Sequence, residues 1–299
     1  MLRNLSRLSS LFALSGLTTV FTVVIITNMA ATAKAQTDEF NVYKFDNNGK
    51  FILGWGSRGS GPGQFYHAHG IAIDSSGNVY VSDQGNFQSE VSHPDAVPHI
   101  SKFTADGKFI TKWGSENNSG NDPTATASEG SLDKPWGVAV DPSGNIVVTD
   151  KGRNMAFKFA SDGKYLQTLV STGPADGQLQ HPHGVAFDSA GNFYIADQVH
   201  ANIQKFSPDG KLLLKFGSEG RGEGPVFHRP HGVAVDSSGN IFVADSGNHR
   251  VKKFAPDGSF IMSWARFKDP HDIKIDPSGN VYLINTTYDE VSGAATPTD

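Results

Sequence analysis

Histidines that recur at one phase of the sequence are the residues best suited to chemistry. They stand in HAHG (His69), HPHG (His183), RPHG (His231) and DPHD (His271), and the related phrase KPWG puts Trp136 in the same place. Neutral imidazoles gathered from distant segments suit a divalent metal, since a catalytic zinc takes three nitrogen or oxygen donors and keeps one position open. His67, His181 and His228 lie close by in the chain and could join such a cluster or sit outside it. The competing role is structural: Pro fixes φ, Gly permits close approach, and His packs locally at the entry to a strand. No Gly-x-Ser-x-Gly elbow, His-Glu-x-x-His helix or phosphate loop is present. The glycine-rich stretches 54–63 and 217–224 fall at one phase between strands with no helix following, so they read as connecting loops rather than phosphate cradles.

The elements that must position these residues come from an internal repeat of about forty-five residues. One half-unit recurs as Gly70-IAIDSSGNVYVSD, Gly137-VAVDPSGNIVVTD, Gly184-VAFDSAGNFYIAD, Gly232-VAVDSSGNIFVAD and Asp272-IKIDPSGNVYLIN. Each copy is an alternating apolar strand, an Asp-x-x-Gly-Asn turn and a second strand closed by Asp83, Asp150, Asp197, Asp245 or Asn285. The other half-unit recurs as Val42-YKFDNNGKFILGWG, Ile100-SKFTADGKFITKWG, Phe157-KFASDGKYLQTLV, Ile203-QKFSPDGKLLLKFG and Val251-KKFAPDGSFIMSW. Together they predict four-stranded antiparallel sheets stacked around an axis, because one such sheet cannot bury both faces alone. The innermost strand lines the channel, so His69, Trp136, His183, His231 and His271 should converge at its mouth. The chain opens on an outer half-unit and closes on an inner one. Their pairing would complete a sheet, close the ring and remove free edges; counting then gives five blades.

Composition narrows the function classes. The chain has 299 residues, no cysteine and a formal charge of −5. Residues 1–35 read as a signal peptide or N-terminal anchor: Arg3 and Arg7, an apolar run over Leu11–Ile26, and the small-x-small site Ala33-Lys34-Ala35. The run is shorter than the roughly 20 residues of a spanning helix, which favours cleavage, with residues 11–30 as the anchor otherwise. The expectation is a secreted or extracytoplasmic domain over residues 36–299, with any membrane contact through an uncleaved N-terminal segment. Removing residues 1–35 takes Arg3, Arg7 and Lys34 and no acids, so the formal charge moves from −5 to −8. That acidity argues against nucleic acid, which needs clustered Lys and Arg. Insertions at 87–99 and 115–133 interrupt the period as surface loops. Asn117-Asn118-Ser119 and Asn285-Thr286-Thr287 match the glycosylation acceptor pattern.

The phrases HPHGVAFDSAGNFYIAD, RPHGVAVDSSGNIFVADSGNHRVKKF and GSEGRGEGPVF resemble the NHL-repeat family, and the resemblance extends over nearly everything after residue 40. It implies an all-β, NHL-type β-propeller. Members are most often six-bladed, so six blades stand open beside the five counted.

Within that family the chain also resembles, in part, the peptidyl-hydroxyglycine amidating lyases. The resemblance implies zinc at His69, His183 and His271, from the first, third and last of the repeated phrases, with calcium at Asp272. Trp136 falls where that family also lacks a histidine. The lyases carry a catalytic Tyr shortly after the Asp that ends the second repeat's strand, whereas here that stretch is Asp150-Lys151-Gly152-Arg153-Asn154. They carry an Arg after the corresponding Asp of the third repeat, whereas here Asp197 is followed by Gln198. Without base or cation the set lacks a proton-transfer apparatus. Two functions therefore stand against each other. One is an exported binding or scaffold module that holds a protein, peptide or glycan at its axial face, around Trp136 and His231; the other is a zinc-dependent lyase. A nucleic-acid or ubiquitin-ligase role is excluded by the acidic charge and the absence of cysteine.

Overall fold

A computed structural model describes residues 23–26, 41–46, 50–85, 96–114, 130–265, 267–276 and 278–285. Strands β1 (Val23–Ile26), β2 (Val42–Phe45) and β3 (Phe51–Trp55) form a three-stranded sheet in that order. Four complete four-stranded sheets follow. The first contains β4 (Ala68–Ile73), β5 (Val79–Asp83), β6 (His99–Phe103) and β7 (Phe109–Trp113). The second contains β8 (Pro135–Val140), β9 (Ile146–Asp150), β10 (Met155–Phe159) and β11 (Tyr165–Val170). The third contains β12 (Pro182–Phe187), β13 (Phe193–Asp197), β14 (Asn202–Phe206) and β15 (Leu212–Phe216). A short parallel pair, β16 (Ser218–Glu219) with β17 (Val226–Phe227), leads into the fourth. That sheet contains β18 (Pro230–Val235), β19 (Ile241–Asp245), β20 (Arg250–Phe254) and β21 (Phe260–Ala265). A two-stranded sheet, β22 (Pro270–Ile275) and β23 (Val281–Asn285), ends the described chain.

The first hairpin of each complete sheet is set by its turn. In the first, Asp74 Oδ1 accepts from the amides of Ser76 and Asn78 at 2.9 and 2.8 Å, and Asn78 donates its side-chain amide to the other oxygen. Gly77 sits at φ +83°, a region closed to most side chains. The same contacts recur at Asp141, Asp188, Asp236 and Asp276. The second strands β5, β9, β13 and β19 are buried at every residue, because both faces are covered by neighbouring sheets. The core is accordingly a row of inter-sheet clusters. Tyr194, Ile203 and Phe216 of the third sheet pack with Val233, Ile241 and Phe254 of the fourth. Burying each such side chain contributes about 1.5–3 kcal/mol.

The expected closure of the ring is not found. β2 pairs with β3 on one edge and with β1 on the other, in the register Val23↔Phe45 to Ile26↔Val42. β22 and β23 remain a separate sheet, so no ladder joins the two ends among the described residues. The reason is competition for an edge. Val23-Val24-Ile25-Ile26 is a β-branched run of high strand propensity, and it takes the β2 edge that closure required. The blade count of five or six thus becomes four complete sheets flanked by a three-stranded and a two-stranded one. The expected leader lies outside the described residues apart from Val23–Ile26, as do residues 87–95 and 115–129 of the insertions, the acceptor Asn117, and the tail from Thr286.

One ion pair lies inside a sheet interface. Lys252 Nζ is 2.9 Å from Asp245 Oδ2, with both side chains fully buried, and it also donates to the carbonyl of Val226. The matching positions in the other sheets are Ser101, Phe157 and Gln204, so the pair is local to the fourth sheet. Lys252→Ala would strand a buried carboxylate and should lower stability by about 3–5 kcal/mol. Lys252→Gln, which copies the third sheet, should lose less. Urea unfolding of the two variants measures the difference.

Candidate functional site

The axial residues are carried by loops that the strand-ending acids hold. Asp83 accepts from the amides of Tyr66 and His67 at 2.9 and 2.6 Å, and Asp150 from those of Asp133 and Lys134 at 2.7 and 3.0 Å. Asp197 accepts from Gln180, and Asp245 from His228, at 2.9 and 2.8 Å. Asn285 does the same for Lys268 and Asp269, both at 2.9 Å. This is why each copy of the half-unit ends in Asp or Asn: the side chain satisfies amides of the loop entering its own sheet's inner strand. Burial pushes the carboxyls of Asp150, Asp197 and Asp245 up, and the amide donors pull against it.

Glycine then sets how close neighbouring inner strands come. A Cβ on Gly137 would lie 2.5 Å from the carbonyl oxygen of His183, and one on Gly70 would lie 2.4 Å from that of Trp136. Those carbonyls are claimed across the interface: Ser82 Oγ donates to Trp136 O at 2.6 Å, and Thr149 Oγ1 donates to His183 O. The inner strands are therefore locked side by side, with their preceding side chains turned into one cluster.

All five sequence-predicted axial residues meet there, with Trp136 at the centre. Its ring lies 3.7 Å from His69, 4.3 Å from His183, 5.5 Å from His271 and 6.0 Å from His231, centroid to centroid. Lys151 Nζ stands 3.7 Å above the indole, a cation–π contact. His231 and His271 approach with their Nδ1 atoms 3.2 Å apart. His69 Nε2 lies 3.3 Å from His67 Nδ1. His228 is held apart from the cluster by Glu219 and Arg221, at 2.7 and 3.0 Å.

Sequence reasoning missed the part played by Gln198. Its Oε1 lies 2.6 Å from His181 Nδ1 and its Nε2 lies 2.7 Å from His231 Nε2. With the imidazoles neutral, His181 donates to the amide, the amide donates to His231, and His231 donates through Nδ1 to His271. The only signal in the sequence was the position itself, directly after the strand-ending Asp197.

The residues do not fit a zinc ion. Among the described residues, no group of three or more His, Cys, Asp or Glu is arranged to hold a metal. The indole of Trp136 packs against His69, His183 and His271, at 3.7, 4.3 and 5.5 Å between ring centroids. Asp272 is engaged by Lys274 Nζ at 3.1 Å and by the amide of Ile273 at 2.8 Å, and calcium would need six to eight oxygens. His183 is fully buried and neither ring nitrogen has a hydrogen-bond partner.

Burial is the first cause that holds His69, His183 and His231 well below the usual imidazole range, and neighbouring imidazoles and Lys151 add to it. The unfolded chain therefore binds more protons than the folded one as pH falls below about 6.5, so stability should fall through that window. Each group contributes up to about 1.4 kcal/mol per pH unit until its folded value is reached. His183→Phe should flatten the dependence of Tm on pH between 6.5 and 4.5; an unchanged slope would place the titration elsewhere.

Residues 65–88, 132–155, 179–206 and 227–254 match the NHL repeat. Human NHL repeat-containing protein 3 is 32% identical over 76 residues, covering 20% of this chain and 22% of that protein. Virginiamycin B lyase from Staphylococcus aureus shares the fold at TM-score 0.52 and 15% identity, covering 73% of this chain and 63% of the lyase. A chain of a nidogen/laminin complex does so at TM-score 0.59 and 19% identity, covering 82% of this chain and 81% of its own. The chain thus matches about a fifth of its human relative and spans less than two thirds of the lyase. At these identities the solved structures share the fold alone. The repeats and the sheets built from them make this chain an NHL-repeat protein with a propeller-like arrangement of four-stranded sheets.

Proposed function

We propose that this protein is a binding module that engages a protein, peptide or glycan at its axial face, around Trp136 and His231. One observation carries the reading: Trp136 packs among the axial imidazoles, within 3.7 Å of His69 and 4.3 Å of His183 between ring centroids. The polar groups around it, Lys151, Gln198, His181 and His271, are only partly buried and offer donors and acceptors of both kinds. Such a surface favours non-covalent contact over turnover, since no side chain there is set as a general base beside an electrophile. The nidogen/laminin chain supports the reading by fold, as a relative found in a complex with another protein. The lyase reading draws on the shared architecture of virginiamycin B lyase and on the histidine spacing, and the packed indole weighs against it.

The discriminating experiment pairs metal analysis with ligand capture on protein purified without a histidine tag. The expected result is less than a tenth of an equivalent of zinc, and capture from a peptide and glycan array that falls at least tenfold in Lys151→Glu. Stoichiometric zinc lost in His183→Ala, with turnover of a peptidyl-hydroxyglycine, would establish the lyase instead.

We also propose that the domain is exported, with residues 1–35 as its signal. Among the described residues no helix is long and apolar enough to cross a membrane. Cleavage after Ala35 would remove Val23–Ile26 from the edge of β2. N-terminal sequencing of the extracytoplasmic protein should begin at Gln36; a chain retaining Met1 in the membrane fraction would identify residues 11–30 as an anchor.

A further inference from the structure

The sheets repeat closely enough that a departure in one of them shows as a space. The second residue of the second strand is Tyr80 in the first sheet, Tyr194 in the third, Phe242 in the fourth and Tyr282 in β23. In the second sheet it is Val147. Where that ring is missing the structure has a pocket of about 180 Å³, between the second and third sheets. Val147, Leu169, Phe187 and Phe193 form its apolar wall, and Asp141 and Lys158 also line it.

The other sheets show how a ring sits at this position. Tyr80 packs on Val138, Ile146 and Val148 of the next sheet, and Tyr194 on Val233 and Ile241 of the next. The hydroxyl points to the turn aspartate: Tyr80 and Tyr282 donate to Asp74 and Asp276 at 2.9 and 3.1 Å, and Tyr194 reaches Asp188 at 3.5 Å. A lysine of the third strand lies over the ring, at 5.2 Å on Tyr80, 5.0 Å on Tyr194 and 4.9 Å on Phe242. The second sheet keeps both of these partners without the ring, with Lys158 Nζ 2.7 Å from Asp141 Oδ2. The third sheet shows that a lysine and a hydroxyl can share one carboxylate, since Lys205 also lies 3.0 Å from Asp188.

We propose that this pocket binds a small free phenol, with its hydroxyl on Asp141, Lys158 over the ring and the para carbon against Val147. Size and chemistry both agree. An apolar cavity of about 150 Å³ is enough to take benzene, so this one holds a ring with a short substituent. The carboxylate and the lysine add a charge-assisted hydrogen bond and a cation–π contact. Orientation decides the source of the ring. In the intact sheets the tyrosine's Cβ lies at the strand and its hydroxyl at the turn, and the turn side of the pocket is bordered by Pro142, Ser143, Ser189 and Pro208, all exposed. A partner protein's tyrosine entering from there would bring its hydroxyl to Val147 and leave its backbone at Asp141. A free phenol can enter either way round. The pocket lies at the opposite end of β8 from Trp136, and does not depend on the reading given for the axial face.

The probe is p-cresol, titrated into the full-length chain by calorimetry and followed by methyl NMR. Saturable binding at one site per chain is expected, with Overhauser contacts from the cresol methyl to Val147 and from its ring to Leu169. Binding should be about tenfold weaker for 4-methylanisole, which keeps the shape but cannot donate to Asp141. N-acetyltyrosinamide, which carries its backbone at the para position, should bind more weakly still. Val147→Tyr restores the ring that the other sheets carry, and should raise Tm while abolishing cresol binding. The titrations and Overhauser contacts on unaltered protein stand without that variant. No saturation at millimolar p-cresol, equal binding of 4-methylanisole or N-acetyltyrosinamide, contacts to residues outside the pocket, or full binding by folded Val147→Tyr would each overturn the proposal.

Discussion

Neighbouring inner strands lie so close at Gly70, Gly137, Gly184 and Gly232 that a methyl group at any of these positions would meet backbone of the next sheet within 3 Å. The arrangement at the axis depends on that approach. It lets Ser82 and Thr149 reach across to the carbonyls of Trp136 and His183, and it turns the preceding side chains into a single cluster. The aspartates that end the second strands hold the incoming loops in place. Strand spacing and loop anchoring together leave the indole of Trp136 little room to be anywhere but among the imidazoles.

Much of this was legible in the sequence. Period-two alternation and the Asp-x-x-Gly-Asn turns gave the strands, and the common phase of His69, Trp136, His183, His231 and His271 gave their convergence. Two things were not legible. Ring closure was inferred from complementary half-units, but pairing of an edge is decided by which strand reaches it. Val23–Ile26, read for its apolarity as part of a leader, has the β-branched character to serve as that strand. The metal set was inferred from spacing and a family resemblance, and spacing does not report what fills the space between the rings. The size of Trp136 does, once the inner strands are known to be within contact distance.

Gln198 shows the same limit from the other side. As a letter in the sequence it is a missing arginine. In the fold it joins His181 to His231. A cluster of imidazoles packed on an indole, linked by an amide and edged by Lys151, is a shaped polar-aromatic surface.

The central claim is that Trp136, rather than a metal ion, occupies the middle of the axial histidines. The most direct measurement is a crystal structure of protein grown with zinc, with diffraction recorded on both sides of the zinc absorption edge. The account predicts indole density packed on His69 and His183 and no anomalous peak among the axial rings. An anomalous peak within bonding distance of His69, His183 and His271, with the indole displaced, would contradict it.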